Sequence, residues 1–166
     1  MKKAFCCGTF DPITIGHIDM IERASRLCDR LVVGVVVNYS KTSRFTLEER
    51  TEMVETAVRH LPNVEVVRFS DHLPTYVIKN GFDAVIRGLR NESDFDYEIG
   101  IAQLYEHFFK GRCETVYIMT RPEYSYISST IVRTNFDLDA DISGWVSDDV
   151  YNLMKKYRDE KKGQGK

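Results

Sequence analysis

A glycine-rich segment that ends in a histidine, residues 8–17 with the sequence GTFDPITIGH, has the composition of a phosphate-binding turn. It follows a short apolar run, residues 3–7, typical of a strand, and apolar residues then recur at helical spacing from Ile18 to Cys28. A helix that starts beyond the carboxyl end of a strand offers unpaired N–H groups and a positive dipole end to an anion. The order strand, turn and helix therefore predicts an anion site, with His17 in the first helical turn. An ordinary tight turn with an exposed histidine is the alternative.

Further side chains suited to phosphate follow other predicted strands. They are Lys41 after the second strand, Arg87 and Arg90 around Gly88 after the fourth, and Ser128, Ser129, Thr130 and Arg133 after the fifth. Forked guanidinium groups suit phosphate oxygens, and glycine permits close backbone approach. Because the carboxyl ends of parallel strands meet at one edge of a sheet, we expect these groups to face one rim. The simpler explanations are solvated surface cations and hydroxyl residues that only cap a helix.

Two common phosphate motifs are absent from the sequence. No G-x-G-x-x-G follows a strand and no G-x-x-x-x-G-K-[ST] occurs, which weighs against a dinucleotide dehydrogenase and a P-loop NTPase. The cysteines and histidines also lack the spacing of zinc ligands, so no protein-bound metal is predicted and buried free thiols are expected at Cys6, Cys7, Cys28 and Cys113. A redox role for Cys7, beside the glycine turn, is the lesser alternative.

Strands and helices alternate along nearly the whole chain. Strands are predicted at residues 3–7, 31–37, 64–69, 84–86 and 115–119. Helices are predicted to begin at Leu47 behind a capping box, to span 73–80 with Gly81 as a left-handed cap, to follow Ser93 up to Gly111, and to span 128–135 and 147–160. Right-handed crossovers assemble this order into an α/β fold, a doubly wound five-stranded parallel sheet with C-terminal helices.

Size and composition indicate one globular domain. The chain has 166 residues, of which 43% are hydrophobic and 29% charged, enough for one well-buried core over residues 1–160. The charged, glycine-rich residues 161–166 are predicted to be a disordered tail. A net charge of −2 argues against nucleic acid or an anionic membrane as the main partner. No apolar run is long enough for a membrane span or a signal peptide, so a cytoplasmic location is expected.

Two signatures give the chain a family resemblance. Thr14-x-Gly16-His17 matches the T-x-G-H signature of the nucleotidyltransferase superfamily, and residues 127–133 match its I-S-S-T-x-x-R signature. Within that superfamily the strings GTFDPIT, FTLEER, RGLR and DFDYE resemble bacterial phosphopantetheine adenylyltransferase, from residue 4 to about residue 150. The resemblance implies a Rossmann-like nucleotidyltransferase fold and a homohexamer. It also implies transfer of the adenylyl group of ATP, with magnesium, to 4'-phosphopantetheine, which gives dephospho-coenzyme A and pyrophosphate.

The resemblance also implies roles for individual residues. The expected catalytic residues are Thr14, His17, Lys41 and Arg90, with His17 stabilising charge at the α-phosphate. Expected ATP contacts are Gly8, Thr9, Phe10, His17, Gly88, Leu89, Arg90, Glu98, Tyr124, Ser125, Tyr126, Ile127, Ser128, Ser129 and Thr130. Expected contacts to phosphopantetheine are Thr9, Lys41, Leu73 and Arg87. Mg2+ is expected to arrive on the ATP phosphates without protein ligands, because acidic residues at 94–98 are also favoured by the helix dipole.

The chemistry of this reaction agrees with the residues that the sequence offers. A phosphate monoester has a second pKa of about 6, so the acceptor is already an anionic nucleophile near neutral pH and needs no catalytic base. The site must align two anions and neutralise the charge that grows on the α-phosphate and on the leaving pyrophosphate. Histidine, lysine, arginine and helix N-termini suit that task.

The chain departs from the family at three positions. Cys7 replaces a proline before the glycine turn, Tyr105 replaces an asparagine and Thr134 replaces a glutamate, the last two on the pantetheine side. A nucleotidyltransferase for nicotinamide mononucleotide, a cytidylyltransferase, and a nucleotide-binding regulatory module are the competing hypotheses. RGLR and FTLEER argue against the first two, and intact Thr14, His17, Lys41 and Arg90 argue against the third. Inhibition by coenzyme A is a family expectation, and Trp145 or Phe109 would serve either subunit contacts or the core.

Overall fold

The computed structural model describes residues 1–37 and 42–164, in which five parallel strands form one sheet. The strands are β1 (Lys3–Gly8), β2 (Arg30–Val36), β3 (Val64–Phe69), β4 (Ala84–Leu89) and β5 (Glu114–Met119), in the order β3-β2-β1-β4-β5. In register, Phe5 of β1 lies beside Val32 of β2 on one side and Val85 of β4 on the other. The predicted doubly wound parallel sheet is therefore confirmed, with its switch point between β1 and β4.

Within the described residues, six α-helices connect or follow the strands. They are α1 (Ile15–Ser25), α2 (Leu47–Val58), α3 (Leu73–Lys79), α4 (Glu92–Phe109), α5 (Ser129–Asp137) and α6 (Asp148–Gln164). The predicted capping box before α2 is present, because Thr46 Oγ1 accepts the Glu49 N–H at 3.2 Å and Glu49 Oε2 accepts the Thr46 N–H at 2.7 Å. Gly81 has the predicted left-handed backbone, with φ of 64°. Across the described ranges, no helix combines the length and the apolar content that crossing a membrane requires.

Two apolar clusters cover the two faces of the sheet. The larger one contains Cys6 and Val33 with residues of α1, α2, α5 and α6, and the smaller one contains Phe5 and Val32 with residues of α3 and α4. Alternate residues of a strand face opposite sides, so Cys6 and Cys7 separate as predicted. All four cysteines are free; Cys7 is partly buried and the other three are buried.

Most observed boundaries differ from the predicted ones by one or two residues, and three differences affect the site or the end of the chain. Strand β4 continues three residues beyond Ile86, so Arg87 and Gly88 lie in the strand, where they pair with β5. Helix α4 begins after Asn91 rather than Ser93, because the Asn91 side chain accepts the Asp94 N–H at 2.9 Å. Helix α6 continues through Gln164, so residues 161–164 are helical rather than part of a disordered tail.

A long-range contact explains the extra helical turn at the end of α6. Lys161 Nζ donates to Glu49 Oε2 at 2.9 Å and to the Arg44 carbonyl at 3.1 Å. These bonds attach the last turn of α6 to the beginning of α2. Charged composition alone therefore gave a wrong prediction for residues 161–164, because it does not report such tertiary contacts.

Candidate active site

A cleft of about 520 Å³ opens at the carboxyl ends of β1 and β4, at the switch point of the sheet. The β1–α1 turn forms its floor, and the end of β4, the first half of α4 and the start of α5 form its walls. Most of its lining had been singled out in the sequence, namely Cys7, Gly8, Thr9, Phe10, Thr14, Gly16, His17, Arg87, Gly88, Arg90, Glu98, Tyr124, Ile127, Ser128, Ser129, Thr130 and Arg133. The predicted convergence of these segments on one rim is what the structure shows.

The floor of the cleft has an unusual backbone conformation and a close packing contact, which restrict the residues at positions 8 and 10. A Cβ on Gly8 would lie 2.9 Å from the Phe10 ring, so a side chain at position 8 would displace that ring. Phe10 itself has a left-handed backbone, with φ of 47°, which is uncommon for a residue other than glycine. Its ring packs edge-on against the His17 imidazole, with 5.3 Å between the ring centroids. The turn thus holds the histidine ring against a fixed aromatic surface.

His17 belongs to a capping box with Thr14 at the start of α1. The His17 N–H donates to Thr14 Oγ1 at 3.4 Å, and the Thr14 N–H donates to His17 Nδ1 at 3.1 Å. Because Nδ1 accepts that bond, the ring proton is assigned to Nε2. Burial lowers the pKa of His17 to about 4, and the positive charge of Arg90 contributes to the same shift. His17 is therefore a neutral imidazole near pH 7, with Nε2–H as its donor.

Both arginines of the RGLR sequence form two-pronged ion pairs with carboxylates of α4. Arg87 pairs with Glu98, with 2.7 Å between Nη2 and Oε1 and a second bond from Nε. Arg90 pairs with Asp94, with 2.9 Å from Nε to Oδ2 and 3.1 Å from Nη2 to Oδ1. Burial alone would lower the pKa of Arg87, but its hydrogen bonds with Glu98 raise it overall. Hydrogen bonds from Arg90 keep the pKa of Asp94 below its ordinary value.

The start of α5 is bonded directly to the floor of the cleft. Ser128 Oγ accepts the Ile131 N–H at 3.2 Å and so caps the helix, while the Ser129 hydroxyl donates to the Pro12 carbonyl at 2.8 Å. One turn further, Arg133 bonds the Asp11 carbonyl and lies 3.4 Å from the Asp11 carboxylate. The two halves of the cleft are therefore joined, and the free N–H groups of the first turn of α5 stand at its edge.

Comparison with known proteins identifies the family. The model of the cytidylyltransferase-like family matches residues 5–135. The phosphopantetheine adenylyltransferase of Lachnoclostridium phytofermentans is 42% identical over 154 residues, which cover 93% of this chain and 94% of that protein. The chain belongs to the phosphopantetheine adenylyltransferase family. Another member, from Streptococcus sanguinis, is 40% identical over 96% of this chain and 98% of its own length.

A solved structure supports the fold of this phosphopantetheine adenylyltransferase family member. It is a Vibrio parahaemolyticus protein proposed to be a nicotinate-nucleotide adenylyltransferase, with a TM-score of 0.71. The alignment covers 94% of this chain and 93% of that protein at 19% sequence identity. At that identity the likeness establishes the nucleotidyltransferase fold, whereas the relatives above establish that the chain is an enzyme of the nucleotidyltransferase class.

Several residues expected to bind substrate lie outside the lining of the cleft. Leu73 is buried in the smaller apolar cluster and Leu89 is buried at the end of β4. Tyr126 is exposed, and Ser125 follows a short 3-10 turn beside the cleft. Lys41 lies outside the described residues, so its contact with the acceptor phosphate stays a prediction.

Two residues that distinguish this family member differ in their surroundings. Tyr105 is partly buried on α4 and packs against the smaller apolar cluster, with its ring 5.7 Å from that of Phe109. Burial raises the pKa of its phenol. Thr134 is exposed on α5. Burial raises the pKa of the Cys7 thiol to about 11, which keeps the thiol protonated and argues against a redox role.

Sequence reasoning misses Asp11 and Arg50, although both are buried, Asp11 in the lining of the cleft and Arg50 bonded to the Thr9 carbonyl of its floor. The only local signal was their position inside the strings GTFDPIT and FTLEER. Asp94 was noted only as an acidic residue of a first helical turn. Among the residues that the structure describes, no three histidine, cysteine or carboxylate side chains are grouped to hold a metal ion.

Proposed function

We propose that this chain transfers the adenylyl group of ATP to the phosphate of 4'-phosphopantetheine, giving dephospho-coenzyme A and pyrophosphate. An oxygen of the acceptor phosphate attacks the α-phosphorus, and the bond from that phosphorus to the α,β-bridging oxygen breaks. The electron pair leaves with pyrophosphate. Because the acceptor phosphate has a second pKa of about 6, it is anionic at neutral pH and no side chain needs to remove a proton.

The observation that carries the proposal is the arrangement around His17. A neutral imidazole with its donor on Nε2 lies in one cleft with two arginines and a helix start. A fixed neutral donor stabilises the oxyanion that develops at the α-phosphate without repelling the adjacent arginines. The Thr14 N–H, which holds Nδ1, makes Thr14 the residue that orients this donor.

The two substrates are assigned to the two sides of His17. Arg90 and the N–H groups at the start of α5 would receive the β- and γ-phosphates of ATP, with Gly88, Glu98 and residues 124–130 around the nucleotide. Thr9, Lys41 and Arg87 would receive the acceptor phosphate, and Leu73 the pantetheine arm. Each arginine is already bonded to a carboxylate, so an incoming phosphate must share its guanidinium with Asp94 or Glu98 or displace that carboxylate.

We assign magnesium to the ATP phosphates rather than to the chain. Mg2+ keeps several waters and usually binds through substrate phosphates and one or two carboxylates, and when bound it offsets phosphate charge. The carboxylates of the described cleft are already paired: Asp94 and Glu98 bond arginines, and Asp11 accepts two backbone N–H groups and lies 3.4 Å from Arg133. The described residues fit this arrangement, in which the chain contributes cationic donors while the ion enters with ATP.

We further propose a homohexamer that acts in the cytoplasm. Helix α4 exposes apolar side chains on two sides: by helical spacing Tyr97, Leu104 and Phe108 share one side, and Phe95 and Ile99 share the other. The apolar surface that contains Leu104 would be covered by another copy of the chain. Phe109, named above as a possible contact residue, is instead 1% exposed in the smaller apolar cluster, and Trp145 packs against the larger one.

A direct assay tests the proposed reaction. Purified protein is incubated with ATP or CTP and with phosphopantetheine, nicotinamide mononucleotide or an alcohol phosphate, while pyrophosphate is measured. We expect pyrophosphate only from ATP with phosphopantetheine, in equal amount to dephospho-coenzyme A. Turnover with a different pair would assign another nucleotidyltransferase reaction. ATP binding without turnover on any acceptor would support a regulatory module instead.

A further inference from the structure

Arg50 is a buried arginine whose guanidinium bonds only to backbone carbonyls within the described residues. It lies in the first turn of α2 and is 3% exposed. Nε donates to the Phe45 carbonyl at 3.2 Å, and Nη1 donates to the Val36 carbonyl at 2.9 Å and to the Thr9 carbonyl. Burying a guanidinium charge costs free energy unless hydrogen bonds compensate for the water that it loses.

The three carbonyls belong to three segments that meet at the acceptor side of the cleft. Thr9 lies in the phosphate-binding turn, Val36 is the last residue of β2 before the segment that contains Lys41, and Phe45 precedes the cap of α2. No other element joins these three segments through one side chain in the described ranges. A planar fork with fixed donor directions can hold three carbonyls in one geometry, which a flexible ammonium cannot.

Asp11 provides the opposite charge on the other side of the same peptide segment. This carboxylate is 4% exposed; Oδ1 accepts the Phe45 N–H at 3.0 Å and Oδ2 accepts the Arg44 N–H at 2.9 Å. Phe45 is therefore held by its N–H through Asp11 and by its carbonyl through Arg50. Asp11 also opposes the effect of burial, which lowers the pKa of Arg50. The two buried charges clamp one backbone segment against the turn.

We propose that Arg50 is a positioning residue for the acceptor half of the site. It fixes Thr9 in the turn relative to Val36 at the end of β2. The inference rests on the proposed function, in which Thr9 and Lys41 hold the acceptor phosphate. It predicts a larger effect on the acceptor than on ATP, because Arg90 and the start of α5, which would hold the β- and γ-phosphates, make no contact with Arg50 in the described structure.

Steady-state kinetics with Arg50→Lys tests this role. The lysine keeps the charge but cannot bond three carbonyls, so we expect kcat/KM for phosphopantetheine to fall about tenfold or more, since misplacement of a reacting group by about 1 Å has large rate effects. We expect the KM for ATP to change less than about twofold, because its binding groups stay in place. Arg59→Lys is the matched control: it lies at the other end of α2 and pairs with exposed Asp149.

Chemical rescue separates positioning from a general loss of folding. Arg50→Ala opens a space in which free guanidinium could bond the same carbonyls, so millimolar guanidinium should restore part of the lost turnover with phosphopantetheine. It should not increase turnover of the wild type or of Arg59→Lys. Circular dichroism at the assay temperature shows whether each variant is folded, and Arg50→Lys supplies the comparison if Arg50→Ala is not.

The outcomes are distinct. An active wild type with an acceptor-specific loss in Arg50→Lys and partial rescue supports the proposal. An active wild type with no loss in Arg50→Lys, or with equal losses for ATP and acceptor, overturns it and leaves the proposed reaction intact. A wild type that forms no dephospho-coenzyme A overturns the proposed function itself and with it the acceptor role of Arg50.

Discussion

His17 is the residue whose chemistry the structure changes most. The sequence predicted a group that stabilises charge, and histidine could do so as a cation or as a neutral donor. The Thr14 N–H on Nδ1 and the lowered pKa favour the neutral form. Arg87 and Arg90 then supply the positive charge of the site. His17 supplies a hydrogen-bond donor of fixed orientation, because its ring is held by the cap and by Phe10.

The first prediction concerns turnover in His17→Ala. Loss of one fixed donor to a developing oxyanion lowers kcat by about 10²- to 10³-fold, whereas ATP in the ground state retains its other contacts. We therefore expect kcat to collapse while the Kd for ATP, measured by calorimetry, changes only a few-fold. His60→Ala, which removes an exposed histidine bonded to Glu22, is the control and should leave both constants unchanged. Equal losses in kcat and ATP binding would contradict the assigned role.

The second prediction concerns stability and pH. In the folded chain the pKa of His17 is about 4, below the value of 6.5 for an unperturbed histidine. Below pH 6.5 the unfolded state therefore binds a proton that the folded state does not, and stability falls as pH falls from 6.5 towards 4. Relative to His17→Gln, the wild type should lose roughly 1 to 2 kcal/mol of unfolding free energy between pH 7 and pH 5.

Denaturant titrations of both proteins at pH 7 and pH 5 measure that difference. The other three histidines are present in both proteins, so their protonation cancels in the comparison. A stability difference that stays constant between the two pH values would mean that folding does not lower the pKa of His17. In that case the imidazole would gain its proton between pH 7 and pH 5, as an unperturbed histidine does, and burial would not be what keeps it neutral.

At the scale of elements, the carboxylates in the first half of α4 determine how readily Arg87 and Arg90 can bind a phosphate. Asp94 and Glu98 are four residues apart, so they lie on one face of the helix, and each bonds one arginine of β4 or its end. These carboxylates align the guanidinium groups and also compete with phosphate for them. Helix α4 is therefore both a support for the arginines and a competitor of the substrate.

The third prediction tests this competition with Asp94→Asn. Arg90 is then released from an ion pair, so ATP should bind about three- to tenfold more tightly, since a partly exposed pair is worth roughly 1 kcal/mol. Glu92→Gln is the control, because it removes the same charge from an exposed position in the same helical turn. Calorimetry of ATP binding compares the two variants. An equal gain in both would assign the effect to overall charge and not to the pair with Arg90.

The elements were largely predictable from the sequence, and the errors have local causes. Apolar runs and caps predicted all five strands and the start of α2. Strand β4 was predicted too short because arginine and glycine commonly follow a strand, whereas pairing with β5 and the bond to Glu98 allow both to remain inside it. Asn91 and Ser93 are equally suitable caps by type, and only the folded backbone selects Asn91.

At the scale of the whole molecule, the topology explains why motifs far apart in sequence form one cleft. The order β3-β2-β1-β4-β5 places β1 next to β4, so the turn after β1 and the arginines of β4 meet at one edge. The motifs predicted this convergence. The clamp formed by Asp11 and Arg50 was not predictable, because it joins residues about forty positions apart through backbone groups that carry no sequence pattern.

The last prediction concerns assembly of the whole molecule. Leu104 is 53% exposed in the apolar surface of α4, and burying such a surface against another copy would favour association. The wild type should have about six times the chain mass of 19.2 kDa in light scattering, and Leu104→Lys, which places a charge in the contact, should shift it to smaller species. Leu27→Lys, which replaces a leucine exposed to 50% away from α4, should leave the mass unchanged. A wild type of 19.2 kDa would contradict the hexamer, and a hexameric Leu104→Lys would place the subunit contact elsewhere.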